Sequence, residues 1–278
     1  MADWNENLTL PVWNSLSNEE RADQARAISE KSAARFSKLA DFKRGNQMCS
    51  VALFSKDNST FALIPGGDVE LGYRQGLIVD LPQDEKDEWL EYLQDCNAVS
   101  KDETIDDYLK RILTQQRKVT LRPFLIEVKP VGAERYYEDA EDNEDSSCHQ
   151  LIRNALEQKG YVLPSSDQWE WACSGDSREL FPWGRTPIRG EEIEAQIGAG
   201  LIDPKPNAFG LHLNLDPYNC ECTDTEMIMR AGDGGTRVCG GAYDTFISQA
   251  SAYFEDISDT DAVAEYYEAA LVRRVIPL

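Results

Sequence analysis

The residues with the widest chemical reach in this sequence are thiols. Cys220 and Cys222 flank Glu221, and Cys239 follows seventeen residues after Cys222. Three thiolates at such positions can form a trigonal site for a soft metal such as Cu(I). The competing reading is packing, since free cysteine is among the most buried side chains and behaves as a small apolar residue. We favour packing for Cys220, Cys222 and Cys239. A structural zinc would need four ligands, and the sequence has no C-x-x-C pair. Ser165-Ser166-Asp167 with His149 or His212 has the residue types of a hydrolase, yet no G-x-S-x-G elbow exposes a nucleophile. Those three residues read instead as the cap of a helix carrying Trp169 and Trp171. GDGGTR (232–237) lacks the strand-to-helix context and lysine of a phosphate loop and reads as a turn.

The elements that must position such groups are partly legible. Ser17-Asn-Glu-Glu20 is a capping box, and Ala25, Ile28, Phe36 and Leu39 recur at helical spacing, predicting one helix to about residue 39. SVALFS (50–55) and TFALIP (60–65) predict a β-hairpin around a polar turn. Helical composition returns at 84–96 and 102–116, inside an acidic insertion over 74–118, and KVTLRPFLIEV (118–128) alternates as a strand does. His149–Gly160 reads as a helix stopped by Gly160. Residues 137–148 are an acidic loop, and turn residues are dense from Gly175 onward.

Composition excludes whole classes. Twenty-eight Lys plus Arg against 50 Asp plus Glu leave a net charge of −22, which is the wrong sign for displacing counterions from nucleic acid or for docking on anionic lipid. With 41% apolar residues the chain is too hydrophobic for an acidic disordered tail. No run approaches the roughly 18 apolar residues of a membrane helix. The start of the chain carries no basic, apolar leader, and the odd count of seven scattered cysteines suits a reducing compartment, so a cytoplasmic location is expected.

Seven segments carry a resemblance. FALIPGGDVELGY (61–73), RKVTLRPFLIEVKPVGAERYY (117–137), YVLPSSDQWEWAC (161–173), LFPWGR (180–185), PNAFGLHLNL (206–215), RVCGGAY (237–243) and LVRRVIPL (271–278) stand in the order of the motifs of the formylglycine-generating enzyme, or sulfatase-modifying factor, family. The resemblance covers about 46–278 apart from the insertion, and implies a divergent C-type-lectin-like α+β fold. It implies that Trp169 and Trp183 are buried anchors. The family's oxidases hold copper between two cysteines a few residues beyond R-G-G-S-W. Here DTFISQASAYF (244–254) has none, so copper and the oxidase reaction are not expected. A second branch uses an iron held by histidines, and the two histidines of this chain are too few. His212 stands where the family has an aromatic and reads as packing, and His149 as a surface residue. Calcium is the one cofactor the resemblance carries over, at Glu221 with Asn219 or Asn214, and no cofactor is required.

The family also includes the hypervariable ligand-binding proteins of diversity-generating retroelements. Their diversified stretch corresponds here to Tyr243–Ala270, where Tyr243, Asp244, Phe246, Tyr253, Tyr266 and Tyr267 are candidate ligand contacts. Tyrosine supplies rigid amphipathic area at low entropic cost. The reading is therefore an N-terminal helical extension (1–45) and a sulfatase-modifying-factor-like domain (46–278) with a helical insertion (74–118). Its expected role is non-catalytic binding of a protein partner or ligand, through C-terminal loops and acidic added segments. The alternatives are a divergent copper or iron oxidoreductase and a retroelement-diversified binder. The acid is concentrated in Asp84–Glu91, Asp102–Asp107 and Glu138–Asp145, outside the shared motifs, so a partner with a basic surface is expected.

Overall fold

Local signals close each early element. Thr9 caps α1 (Leu10–Ser15), and the Ser17–Glu20 capping box opens α2 (Asn18–Ser32). The helix expected to reach residue 39 stops at Ser32, because Ala33 turns left-handed (φ 54°) and the Ser29 hydroxyl accepts the amide of Phe36 at 2.6 Å. Phe36 and Leu39 belong instead to strand β1 (Arg35–Arg44), which pairs with β2 (Gln47–Lys56). Long-range pairing overrides helical periodicity there, with Phe36 packed on Phe54 at 5.8 Å. The boundary expected at residue 45 falls on the turn of this hairpin, and residues from both sides of it share one core cluster. The computed structural model describes residues 8–74, 80–95, 99–136, 147–186, 203, 205–216, 219–232, 251–257, 267 and 270–278.

The expected hairpin forms between β2 and β3 (Ser59–Ile64) through Asp57 and Asn58, both at positive φ, as a two-residue turn matched to strand twist requires. The predicted strand over 118–128 divides at Arg122-Pro123 into β5 (Arg117–Leu121) and β6 (Phe124–Glu127), since proline has no amide to donate to a ladder. β5 pairs with β4 (Gly67–Leu71) in a separate two-stranded ribbon, while β6 enters the main sheet. That sheet runs β1-β2-β3-β6-β12, with β12 (Val275–Pro277) closing the chain and β1 forming one edge. A bulge interrupts β1 between Phe36 and Lys38, and Arg35, Lys38 and Lys43 are exposed along it. A second sheet is ordered β10 (Glu255–Ile257), β9 (Ile228–Arg230), β8 (Cys220–Cys222), β11 (Ala270–Val272), β7 (Val131–Gly132). Among its described pairings only β8 with β11 is parallel.

The insertion forms α3 (Gln83–Asp95) and α4 (Ile105–Ile112), the latter shorter than expected because Thr104 caps it and Leu113 turns extended. Helices α5 (Cys148–Glu157) and α6 (Ser166–Ser174) follow, α6 opening on a Ser165–Gln168 capping box as Ser-Ser-Asp suggested. The class is thus α+β. Two apolar clusters hold it together: a large one beneath the main sheet, and a smaller one joining Trp89, Leu93, Tyr108 and Leu109 of the insertion to Leu180, Phe181, Tyr253 and Phe254. Among the described residues no helix is long and apolar enough to cross a membrane.

Trp169 is 3% exposed, as expected of an anchor. Trp183 is only half-buried, stacked on Phe181 at 5.6 Å with the Arg44 guanidinium 5.2 Å from its ring, and so is not a buried anchor. Trp169→Ala should therefore cost about 3–5 kcal/mol in urea unfolding. Trp183→Ala should cost clearly less, and equal losses would contradict this packing.

Candidate functional site

The three residues Trp169-Glu170-Trp171 tie α6 to three separate parts of the chain. Trp171 donates its indole N–H to the Pro65 carbonyl at 2.9 Å, and Trp169 donates to Glu221 Oε2 at 2.7 Å. Glu170, fully buried, accepts from the Gly72 amide (2.5 Å), Thr114 Oγ1 (3.0 Å), Arg117 Nη2 (3.0 Å) and Arg230 Nη2 (3.1 Å). Gly72 must be glycine for this approach: its φ is +90° and a Cβ there would lie 2.1 Å from the Gln115 carbonyl. Asn207, from the PNAFG segment, donates to the carbonyls of Ala172 and Cys173, satisfying the end of the helix.

Buried arginines pin both flanks of the Tyr243–Ala270 window. Before it, Arg230 donates to Ser166 Oγ, to Glu170, and to the carbonyls of Ala252 and Phe254, and it pairs with Glu255 at 3.1 Å. After it, fully buried Arg273 makes two 2.8 Å bonds to Glu221 and three of 3.0 Å to the carbonyls of Glu127, Val128 and His212. Those five bonds match the five N–H donors of a guanidinium. None of Glu170, Arg230 and Arg273 stood out in the sequence. A charged residue set between two tryptophans, or inside the apolar LVRRV, was the available signal.

Glu221 therefore faces Arg273, not Asn219 or Asn214. Asn219 donates to Asp216 Oδ2 at 2.9 Å, and Asn214 to the carbonyls of Asp216 and Asn219. Calcium at Glu221 would compete with a guanidinium already bound to both carboxylate oxygens, so these residues do not fit that ion. Cys220 and Cys222 share the opposite face of β8, both fully buried. Burial pushes the Cys222 thiol well above the ordinary range, which keeps it protonated and a poor ligand or nucleophile. Cys239 lies outside the described residues. Among those described, no group of three or more His, Cys, Asp or Glu is arranged to hold a metal. His149, expected at the surface, is 3% exposed, with Nε2 at 2.9 Å from the Thr223 carbonyl.

Of the candidate ligand contacts, Tyr243, Asp244, Phe246 and Tyr266 lie outside the described residues. Tyr253 and Tyr267 are 5% and 1% exposed and pack inside, so these two side chains are not presented to a ligand. Tyr253 serves the scaffold: its carbonyl accepts the Thr114 amide at 2.8 Å, and Phe254 bridges to Leu113 beside it. This joins Tyr253 and Phe254, within the window, to the end of α4. An open cleft of about 620 Å³ lies at the junction, lined by Arg111, Arg117, Ser166, Asp167, Asp224 and Glu255 among others. The exposed residues of the insertion include Asp84, Asp87, Glu88, Glu91, Asp102 and Asp107.

Removing one member of the Arg273–Glu221 pair strands a buried charge. Arg273→Met should cost about 3–5 kcal/mol in urea unfolding, and Arg273→Met with Glu221→Leu should recover most of that loss. A single variant as stable as the parent would mean that the pair is not buried as described.

Comparison with known protein families and with curated proteins finds no match. Among solved structures, the chain is similar to Treponema denticola variable protein 1, at 12% identity over 86% of this chain and 99% of that one, with a TM-score of 0.39.

Proposed function

We propose that this protein is a non-catalytic recognition module, with the sulfatase-modifying-factor type of C-type-lectin-like fold as a rigid frame. It binds a protein partner that presents basic residues. The observation that carries the reading is the junction at Leu113–Phe254: part of the C-terminal window and the acidic insertion share one apolar cluster and border one cleft. At the cleft Arg117 is paired with Asp167 and Glu255 with Arg230 behind it, which suits a structural floor better than a reaction centre. The carboxylates exposed on the insertion supply a field that steers a cation-bearing surface inward.

A second reading, diversification of the window by a retroelement, is favoured by the clamp at its flanks. The partners of the Arg230–Glu170 and Arg273–Glu221 pairs lie outside the window, and Arg230 also holds Glu255 and the carbonyls of Ala252 and Phe254 within it. A template repeat of this coding segment in the adjoining DNA is the expected finding on that reading, and its absence would remove it.

The recognition role is tested by isolating the partner from the native host and measuring association at about 50 mM and about 500 mM salt. The Debye length falls several-fold over that range, so the on-rate should drop by roughly tenfold while dissociation changes less. An on-rate indifferent to salt, or a partner whose contact surface is acidic, would overturn the proposal.

A further inference from the structure

A second cavity, of about 470 Å³, lies away from the cleft residues. It is lined by Leu10, Pro11 and Asn14 at the start of the chain, by Gly66–Val69, by Trp171, and by Asp176 and Arg178 from the loop after α6. Its chemistry is two-sided. Trp171, Leu10, Pro11 and Val69 form an apolar lining, and the Trp171 indole N–H is taken by Pro65, so the ring offers apolar surface rather than a donor. Asp176 supplies the opposite character. Its side chain keeps 29% exposure, and its one hydrogen bond among the described residues is a long 3.4 Å contact from Arg178 Nε. Arg178 is held more tightly elsewhere, by Glu70 at 2.7 Å. A carboxylate has about four acceptor positions, so most of the capacity of Asp176 is unspent.

The loop is shaped to hold that carboxylate there. Gly175, Asp176 and Arg178 all have positive φ, at 61°, 58° and 53°. Aspartate tolerates this region moderately and arginine poorly, and backbone held in such a state by its surroundings gathers at ligand sites. The charged groups lining the cavity, Asp68, Asp176 and Arg178, leave a net negative balance.

We infer that this cavity receives the side chain of an arginine or lysine from the partner, its stem against Trp171, Leu10 and Val69 and its cationic head on Asp176. The inference rests on the proposed function only in assigning that side chain to the basic partner. Long cationic side chains carry an apolar stem and a charged tip, which matches an apolar lining set beside a carboxylate. An anionic ligand would meet Asp68 and Asp176 against a single guanidinium, Arg178, that Glu70 already engages, and a wholly apolar one would strip water from Asp176 with nothing in return. Burial already holds the Asp176 carboxyl above its ordinary range, a cost that a bound cation relieves.

The experiment uses the full chain labelled with ¹⁵N and three capped tripeptides, Gly-Arg-Gly, Gly-Lys-Gly and Gly-norleucine-Gly. The readouts are the Trp171 indole N–H, assigned with Trp171→Phe, and the Asp176 amide. The arginine and lysine peptides should shift both signals saturably, and the norleucine peptide neither. Asp176→Asn keeps a residue that accepts positive φ and should retain the parent melting temperature while weakening the cationic peptides at least fivefold. Equal shifts from norleucine, unchanged affinity in Asp176→Asn, or shifts confined to the cleft at Glu255 would overturn the inference. n-Butylamine binding more tightly than either cationic peptide would overturn the assignment to a protein side chain. If Asp176→Asn loses the peptides yet captures the native partner as well as the parent does, the inference fails and the proposed function stands. If the peptides bind at Trp171 but no basic partner exists, the proposed function fails and the cation site remains.

Discussion

Arg273 sits where the chain passes from β11 in one sheet to β12 in the other, and its guanidinium is bonded on every side. Through Glu221 it reaches β8 and, by way of Trp169, helix α6. Through the carbonyls of Glu127 and Val128 it reaches the end of β6. The two sheets and the helix between them are therefore referred to one point. Its neighbour Arg274 extends the arrangement outward, binding Glu127 by 2.8 and 2.6 Å bonds and lying 4.8 Å from the Tyr161 ring. A buried ion pair adds little net stability over an apolar substitute, but a mispaired one is costly, so such a pair selects one arrangement of sheets over its competitors.

Glu170 performs the matching task on the other side of α6. Adjacent positions on a helix point about 100° apart, so Trp169, Glu170 and Trp171 leave α6 in three directions and meet three partners. The helix is short, and its own hydrogen bonds would not keep it folded alone. It is held by what these side chains grip. Stability is thereby lodged in the frame around the window, together with Ala252, Phe254 and Glu255 inside it, which Arg230 also grips.

The parts of this arrangement visible in the sequence were those with local causes. The Ser17 and Ser165 caps, the hairpin around Asp57-Asn58 and the two insertion helices each follow from neighbouring residues. The ion pairs join positions about fifty to sixty apart, as Glu170 with Arg230 and Glu221 with Arg273, and charge alone does not say which carboxylate meets which guanidinium. Phe36 and Leu39 kept helical spacing while belonging to a strand, because the ten-residue partner β2 decided the matter. Tyr253 and Tyr267 have the composition of a recognition loop, and their burial depends on α3, α4 and α5 packing from distant parts of the chain. Trp183 erred the other way, a large aromatic in an apolar motif that ends up shared between Phe181 and Arg44 near the surface.

Strand β1 has a consequence of another kind. A strand at the edge of a sheet offers backbone groups that an extended chain can copy, and in a crowded solution the commonest chain available is another molecule of the same protein. The bulge at Phe36–Lys38 twists that ladder out of register, and Arg35, Lys38 and Lys43 place like charges where an identical strand would have to lie. The edge thus carries its own guard against self-templating. Among the described strands of this acidic protein the most basic is the edge strand, where like charge opposes pairing with a second copy.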